Sequence, residues 1–289
     1  MWIDNKSLII FILTVSLADA AAINRQQNKL IPQSGIIKKL IDKDNTLFFY
    51  PYESNYIIYT YTSNLNKAAI YAYNWANKAR KAEIKFQLSL AFPLWQGIIG
   101  ENSILAASYT QRSWWQAFNR SSSSPFRETS YSPQLFLGWS VDRLFAGWTL
   151  QDIEVGFSHE SNGRPEPTSR SWNRIYGRLL AKKGNWLTEI TPWYRLPEDR
   201  NTDDNPDITK YMGYYRIRLG YQWKESVLSL QGNYNWSTGY GGVLLGWSYP
   251  VNEHIRFYSQ LFSGYGESLI DYNHHQTRFG VGVMYNDLF

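Results

Sequence analysis

The sequence predicts an all-β fold, a twelve-stranded antiparallel transmembrane β-barrel, on three observations. Apolar and polar residues alternate with period two in segment after segment, as in strands with one apolar and one polar face. Aromatic residues make up 17% of the chain, including 13 Trp and 22 Tyr, yet the mean hydropathy of −0.42 is polar. No apolar run beyond the N-terminal leader approaches the length of a membrane helix. A barrel accommodates all three, with apolar residues facing lipid, polar residues facing the lumen, and Trp and Tyr at the interfaces. A soluble β-sandwich also alternates but hides its apolar face in a core. Here the strands are long and their apolar faces end in aromatics, which favours the barrel.

The elements follow in chain order. Residues 1–20 carry Lys6, an apolar run over 8–17 and the small-residue triplet Ala18-Asp-Ala20, the layout of a secretory signal peptide. The run is short for an uncleaved anchor helix. Residues 21–50, with the apolar patch Ile36-Ile-Lys-Lys-Leu-Ile41, are expected to form a periplasmic N-terminal extension, and 51–289 the barrel. The first strand is expected near 55–63, and the next carries Ile84, Phe86, Leu88, Leu90 and Phe92 on one face. Further strands are expected near 102–116, 131–141, 146–161, 170–182 and 185–196. Tyr211, Tyr215, Ile217, Leu219, Tyr221 and Trp223 share a parity, with Arg216, Arg218 and Gln222 on the other. Leu228, Leu230, Tyr234 and Trp236 face away from Ser229, Gln231, Asn233 and Asn235. Segments at 243–249, 255–265 and 279–289 complete the set, and the chain ends on the aromatic Phe289. Gly280 and Gly282 fall on the lumen parity, where crowding is expected. No internal repeat or second domain is visible.

Charge and cysteine content narrow the classes further. The net charge is +5, with no basic run or aromatic-basic platform that would suggest a nucleic-acid partner. There is no cysteine, so an exported product must be held by burial and a closed hydrogen-bond network rather than disulfides.

The stretch Ile153-Glu-Val-Gly-Phe-Ser-His-Glu-Ser-Asn-Gly163 carries the chemistry. Ile153, Val155 and Phe157 define an apolar face whose parity His159 and Ser161 continue. After the turn-like run Gly-Arg-Pro-Glu-Pro-Thr-Ser, residues Asn173, Ile175 and Leu179 again share a parity. A hairpin centred on Glu166 puts His159 opposite Asn173, with Ser161 one pleat nearer the turn. A hydroxyl, an imidazole and an amide then meet on a surface of Ile, Val, Phe and Leu. His159 and Ser161 lie two residues apart, about 7 Å between Cα atoms, a spacing that suits a nucleophile beside its base. Asn173 would orient the imidazole but add no negative charge, so a bound cation is the natural aid to an oxyanion. Alone, His-x-Ser is a weak signal, most often surface decoration. No Gly-x-Ser-x-Gly elbow is present, which closes the α/β-hydrolase route.

Longer stretches carry a resemblance. Tyr109-Thr-Gln-Arg-Ser-Trp-Trp-Gln116, Ser123-Ser-Pro-Phe-Arg-Glu-Thr129, His159-Glu-Ser-Asn-Gly-Arg164 and Thr168-Ser-Arg-Ser-Trp-Asn-Arg174 resemble outer-membrane phospholipase A, a family of bacterial calcium-dependent barrel lipases. Residues 201–215 and 264–272 extend the resemblance over nearly the whole mature length. It implies an outer-membrane enzyme acting on phospholipids and lysophospholipids, with A1 and A2 activity and no nucleic acid involved. It implies Ser161 as nucleophile, His159 as base and then acid, and Asn173 as orienter. It also implies an activating Ca2+ between two barrels of a homodimer, with Ser123 of one subunit joining Arg164 and Ser169 of the other. Arg164 would act through its backbone carbonyl, since its side chain has no acceptor. Asp204 matches a residue the family uses for calcium in the isolated barrel. Glu166 stands there in place of the expected Asp, and a solvated loop cap is the plain alternative for Asp204. Gln111 matches a glutamine at the family's dimer face. The competing reading is a non-enzymatic pore or scaffold barrel, with Arg216, Arg218 and Gln222 lining a channel; it leaves His159, Ser161 and Asn173 on the lipid-facing parity unexplained. A soluble esterase is at odds with the exterior aromatics. His254, His274 and His275 lack any surrounding pattern of carboxylates and read as surface residues.

Overall fold

Alternating segments of this length have one way to satisfy their backbone in lipid, which is to pair with neighbours on both sides until the sheet closes. In a computed structural model of the chain, residues 35–42, 48–199 and 201–286 are described. The expected signal peptide, most of the expected extension and Phe289 lie outside the described residues. The long strands are β2 (Asn55–Thr62), β3 (Ala82–Gln96), β4 (Ser103–Trp115), β5 (Phe126–Phe145), β6 (Trp148–Ser161) and β7 (Ser171–Lys183). They continue as β8 (Trp186–Arg195), β9 (Tyr215–Trp223), β10 (Ser226–Asn235), β11 (Tyr240–Pro250), β12 (Arg256–Gly264) and β13 (Gln276–Asn286). Each is antiparallel to the next, and β13 pairs back onto β2, for example Val281 with Tyr59. The twelve strands therefore form a closed antiparallel barrel. A two-residue strand, β1 (Tyr50–Pro51), pairs with β3 beyond the end of β2 and adds no member to the ring.

Alternation reads directly as inside and outside. Along β11, Val243, Leu245, Trp247 and Tyr249 are exposed while Gly246 and Ser248 between them are buried. The inner face is charged and paired. Arg178 reaches Glu154 at 2.7 Å and Glu189 at 2.8 Å, and Arg278 bridges Glu83 at 2.8 Å and Glu267 at 2.7 Å. Gly280 does sit where space is short: a Cβ there would lie 2.7 Å from Ile58 Cδ1.

Helix α1 (Ile36–Ile41) lies in the end of the lumen away from the β6–β7 turn. It buries Ile36, Ile37 and Leu40 against Ile104, Ala106, Phe136 and Tyr52. The Ile37 N–H donates to Asp152 Oδ2 at 3.2 Å. One segment departs from the expected pattern. Tyr211 falls in a short helix, α2 (Ile208–Met212), rather than at the start of a strand. The helix ends at Gly213, with φ +63° and a Cβ position only 2.9 Å from Tyr234 O, so the strand begins after it, at Tyr215. The strand expected at 131–141 also runs longer in both directions, with a register shift between Ser140 and Arg143 where Asp142 has φ +46°.

Candidate active site

The β6–β7 hairpin pairs His159 with Asn173 and Ser161 with Ser171, the register expected from a turn centred on Glu166. Val155 and Phe157 on β6, and Ile175 and Leu179 on β7, are exposed on the outer face, and His159, Ser161 and Asn173 share their parity. The alternate residues point inward and brace the hairpin. Glu160 accepts from Arg112 at 2.7 Å, Arg174 at 3.0 Å and Trp172 Nε1 at 3.0 Å, while the Arg174 guanidinium lies 3.9 Å from the Trp172 ring centroid. The outward residues thus stand on a backbone held from behind by charge-assisted hydrogen bonds.

His159 Nδ1 and Asn173 Oδ1 are 2.9 Å apart. The other end of the Asn173 amide settles which proton sits where. Its Nδ2 lies 3.4 Å from Glu198 Oε1, and a carboxylate can only accept, so Nδ2 donates to it and Oδ1 faces the imidazole. Oδ1 must in turn accept a proton from Nδ1. The neutral imidazole then carries its hydrogen on Nδ1 and leaves Nε2 bare, the tautomer a general base requires.

The turn after Ser161 is clamped by Asn162, which is buried. Its Oδ1 accepts from the N–H groups of Arg170 at 3.0 Å and Arg164 at 3.3 Å. Its Nδ2 donates to Thr168 O at 2.8 Å and Glu128 Oε2 at 3.3 Å. Sequence reading overlooked both Asn162 and Glu198. The Asn-Gly pair at 162–163 is a turn signal that pointed to the first; Glu198 lies in a loop with no pattern to betray it.

The expected metal residues fall into two groups. Ser169 Oγ donates to Asp204 Oδ2 at 2.5 Å, and a hydrogen bond with Asp204 raises the pKa of the exposed Glu166 carboxyl from its ordinary value. Glu166, longer by a methylene than the expected Asp, therefore still reaches Asp204. Two carboxyls and a hydroxyl facing one another form an all-oxygen donor set, which fits a hard cation such as calcium better than zinc or copper. Ser123 lies apart, in the loop before β5, with φ +56° and its N–H on Arg120 O at 3.3 Å. Arg164 ties the start of β5, just after that loop, to the site through its guanidinium, which donates to Phe126 O at 3.0 Å. No cluster of three or more His, Cys, Asp or Glu side chains suited to a metal is present among the described residues.

Gln111 is in register with the site. It pairs with Tyr131, Tyr131 pairs with Ser161, and all three share the outward parity. Tyr109 Oη and Ser113 Oγ flank Gln111 at 3.2 Å each, giving a polar stripe on an otherwise apolar wall.

Known proteins share this architecture. The sequence profile of the family described as phospholipase A1 matches residues 36–285. A phospholipase A1 from Klebsiella pneumoniae is 65% identical over 258 residues, 89% of each chain. The crystal structure of a Salmonella typhi outer-membrane phospholipase dimer with bound calcium superposes with TM-score 0.86 at 63% identity, covering 88% of this chain and 98% of that one. The Escherichia coli outer-membrane phospholipase A with an active-site asparagine replaced by alanine superposes with TM-score 0.85 at 63% identity and the same coverage.

Proposed function

The chain belongs to the phospholipase A1 family and is a phospholipase of the bacterial outer membrane; we propose that it works by a Ser161–His159–Asn173 triad on the lipid-facing wall, with calcium and a second copy of the chain completing the site. The observation that carries this reading is the 2.9 Å contact of His159 Nδ1 with Asn173 Oδ1 on the parity of Val155 and Phe157. The active-site asparagine of the Escherichia coli relative supports Asn173, and the calcium-loaded Salmonella typhi dimer supports both the ion and the second barrel.

On this reading a phospholipid lying against the barrel presents its acyl ester at the rim of the apolar band. Ser161 Oγ attacks the ester carbonyl while His159 Nε2 takes its proton. Asn173 Oδ1 holds the imidazolium through Nδ1–H. His159 then returns the proton to the departing lysolipid oxygen, and water, activated by the same Nε2, releases the fatty acid from Ser161. Both phospholipids and lysophospholipids fit, with A1 and A2 cleavage, because an external site has no closed pocket to exclude either ester. Ser169 and the Arg164 carbonyl of one subunit, with Ser123 of the other, would hold calcium in the dimer; Asp204 and Glu166 would hold it in the single barrel. Bound calcium supplies positive charge beside the developing oxyanion, the charge that an Asn-containing triad lacks. Gln111 on the outer wall suits a face buried against a partner, since Tyr109 and Ser113 occupy one lone pair and one N–H of its amide and lipid tails offer nothing to the rest.

The test is fatty-acid release from mixed phospholipid–detergent micelles, with calcium and then with chelator, for wild type and Ser161→Ala. Release that needs calcium and disappears in the variant, with the barrel folded, is expected. Release that survives Ser161→Ala would overturn the nucleophile. Full activity from a barrel that sediments as a monomer under every condition would overturn the role of the dimer.

A further inference from the structure

We infer that Glu198 is a positioning residue for the reaction: it selects the orientation of the Asn173 amide and thereby the protonation pattern of His159. This rests on the triad reading above and adds a residue to it.

An amide has two ends of nearly equal shape. Rotated by 180°, Asn173 would point its NH2 group at His159 Nδ1, which could then only accept, and the ring proton would move to Nε2. A His159 protonated there cannot take a proton from Ser161. The hydrogen bond to His159 does not choose between these states, because the imidazole answers either with a matching tautomer. A third group must break the symmetry, and Glu198 Oε1, 3.4 Å from Asn173 Nδ2, is placed to do so. A carboxylate only accepts, so only one rotamer of Asn173 satisfies both neighbours.

The chain delivers Glu198 to that place by a second grip on the same residue. Strand β8 ends at Arg195, paired with Arg174, and the next residue donates its N–H to the backbone oxygen of Asn173 at 2.8 Å. Leu196 thus holds the main chain of Asn173, and Glu198, two residues on, meets its side chain. Pro197 between them fixes its own φ and stiffens the step. A contact of 3.4 Å to a half-buried carboxylate is long, so its effect belongs at the lower end of the range for residues that orient a catalytic group.

The experiment compares kcat and KM for wild type, Glu198→Ala and Glu198→Gln, and repeats Glu198→Ala in an Asn173→Asp background. In Glu198→Ala kcat is expected to fall about tenfold with KM unchanged. Glu198→Gln keeps the shape, but its own amide can answer either orientation of Asn173, so it recovers little of that loss. In Asn173→Asp both ends of the side chain are acceptors, no orientation remains to be selected, and Glu198→Ala no longer lowers kcat. A role that merely braces the loop would give the same loss in both backgrounds, and that result overturns the proposal. So does wild-type kcat in Glu198→Ala or in Glu198→Gln. Ser161→Ala, run alongside, separates the two readings. If it is inactive while Glu198→Ala is unaffected, only the role of Glu198 fails; if it stays active, the triad fails and takes Glu198 with it.

Discussion

At the scale of single residues, the outer wall mixes two kinds of side chain for one reason each. Ile, Val, Phe and Leu there meet lipid, and the polar exceptions around the site have partners. His159 is held by Asn173, Asn173 by Glu198, and Gln111 by Tyr109 and Ser113. Beyond the strands, Asp204 accepts from Ser169 and lies beside Glu166, the two carboxyls proposed above to hold calcium in the single barrel. Replacing Asp204 with Asn removes one of the two charges while keeping the shape. A single charge at a partly wetted site contributes roughly 1–4 kcal/mol to cation binding. The calcium dissociation constant of the Asp204→Asn barrel, measured by calorimetric titration under dilute, monomer-favouring conditions, is therefore expected to rise about tenfold.

At the scale of one element, the β6–β7 hairpin is where fold and chemistry meet. Its register places the three polar residues, and Asn162 holds the turn that follows through four hydrogen bonds. Asn162→Ala leaves two backbone N–H groups, one carbonyl and one carboxyl without that partner. We expect it to cost about 2–3 kcal/mol, less than four independent bonds because turn groups near the rim can regain water. A lowered urea midpoint for refolding in detergent, together with reduced fatty-acid release, checks this. Periodicity makes the strands of this element legible and leaves its loop partners silent. Tyr211 shows the limit in another element: it shares the parity of Tyr215 and Ile217, yet Gly213 and the helix before it take Tyr211 out of the sheet.

At the scale of the whole molecule, closure turns the polar faces of twelve strands inward, where their charges must be paired. Arg127, fully buried, sits between Glu83 at 2.8 Å and Asp271 at 2.6 Å. Removing it leaves Asp271 buried without its cation and Glu83 with Arg278 alone, so Arg127→Leu is expected to destabilise the barrel by about 3–5 kcal/mol, read from urea unfolding. The same pairing crowds the lumen. Its cavity of about 190 Å³ is lined by Glu53, Arg112, Arg178, Arg216 and Arg218 rather than left open as a channel. Planar-bilayer recordings are expected to show no stable single-channel steps. Arg216 and Arg218, lumenal as their parity predicts, reach Glu53 and Glu189 and so serve the network inside the barrel.

Two physical facts divide what each level determined. Strand geometry is local: with side chains alternating every residue, the sequence alone established the strand count, the inward and outward faces, and the register that sets His159 opposite Asn173. Loop and lumen contacts are not local. Glu198 meets Asn173 and Glu166 meets Asp204 where loops fold back past the strand ends, and Arg278 meets Glu83 only because the sheet has closed through the β13–β2 pair. The tertiary structure alone decided those partners, and it also placed Ile37 of the N-terminal helix against Ile104 and Phe136 inside the barrel. No pattern along the chain encodes such pairs, since the distance between their members is set by loop conformation and by closure of the barrel rather than by a repeating spacing of residues.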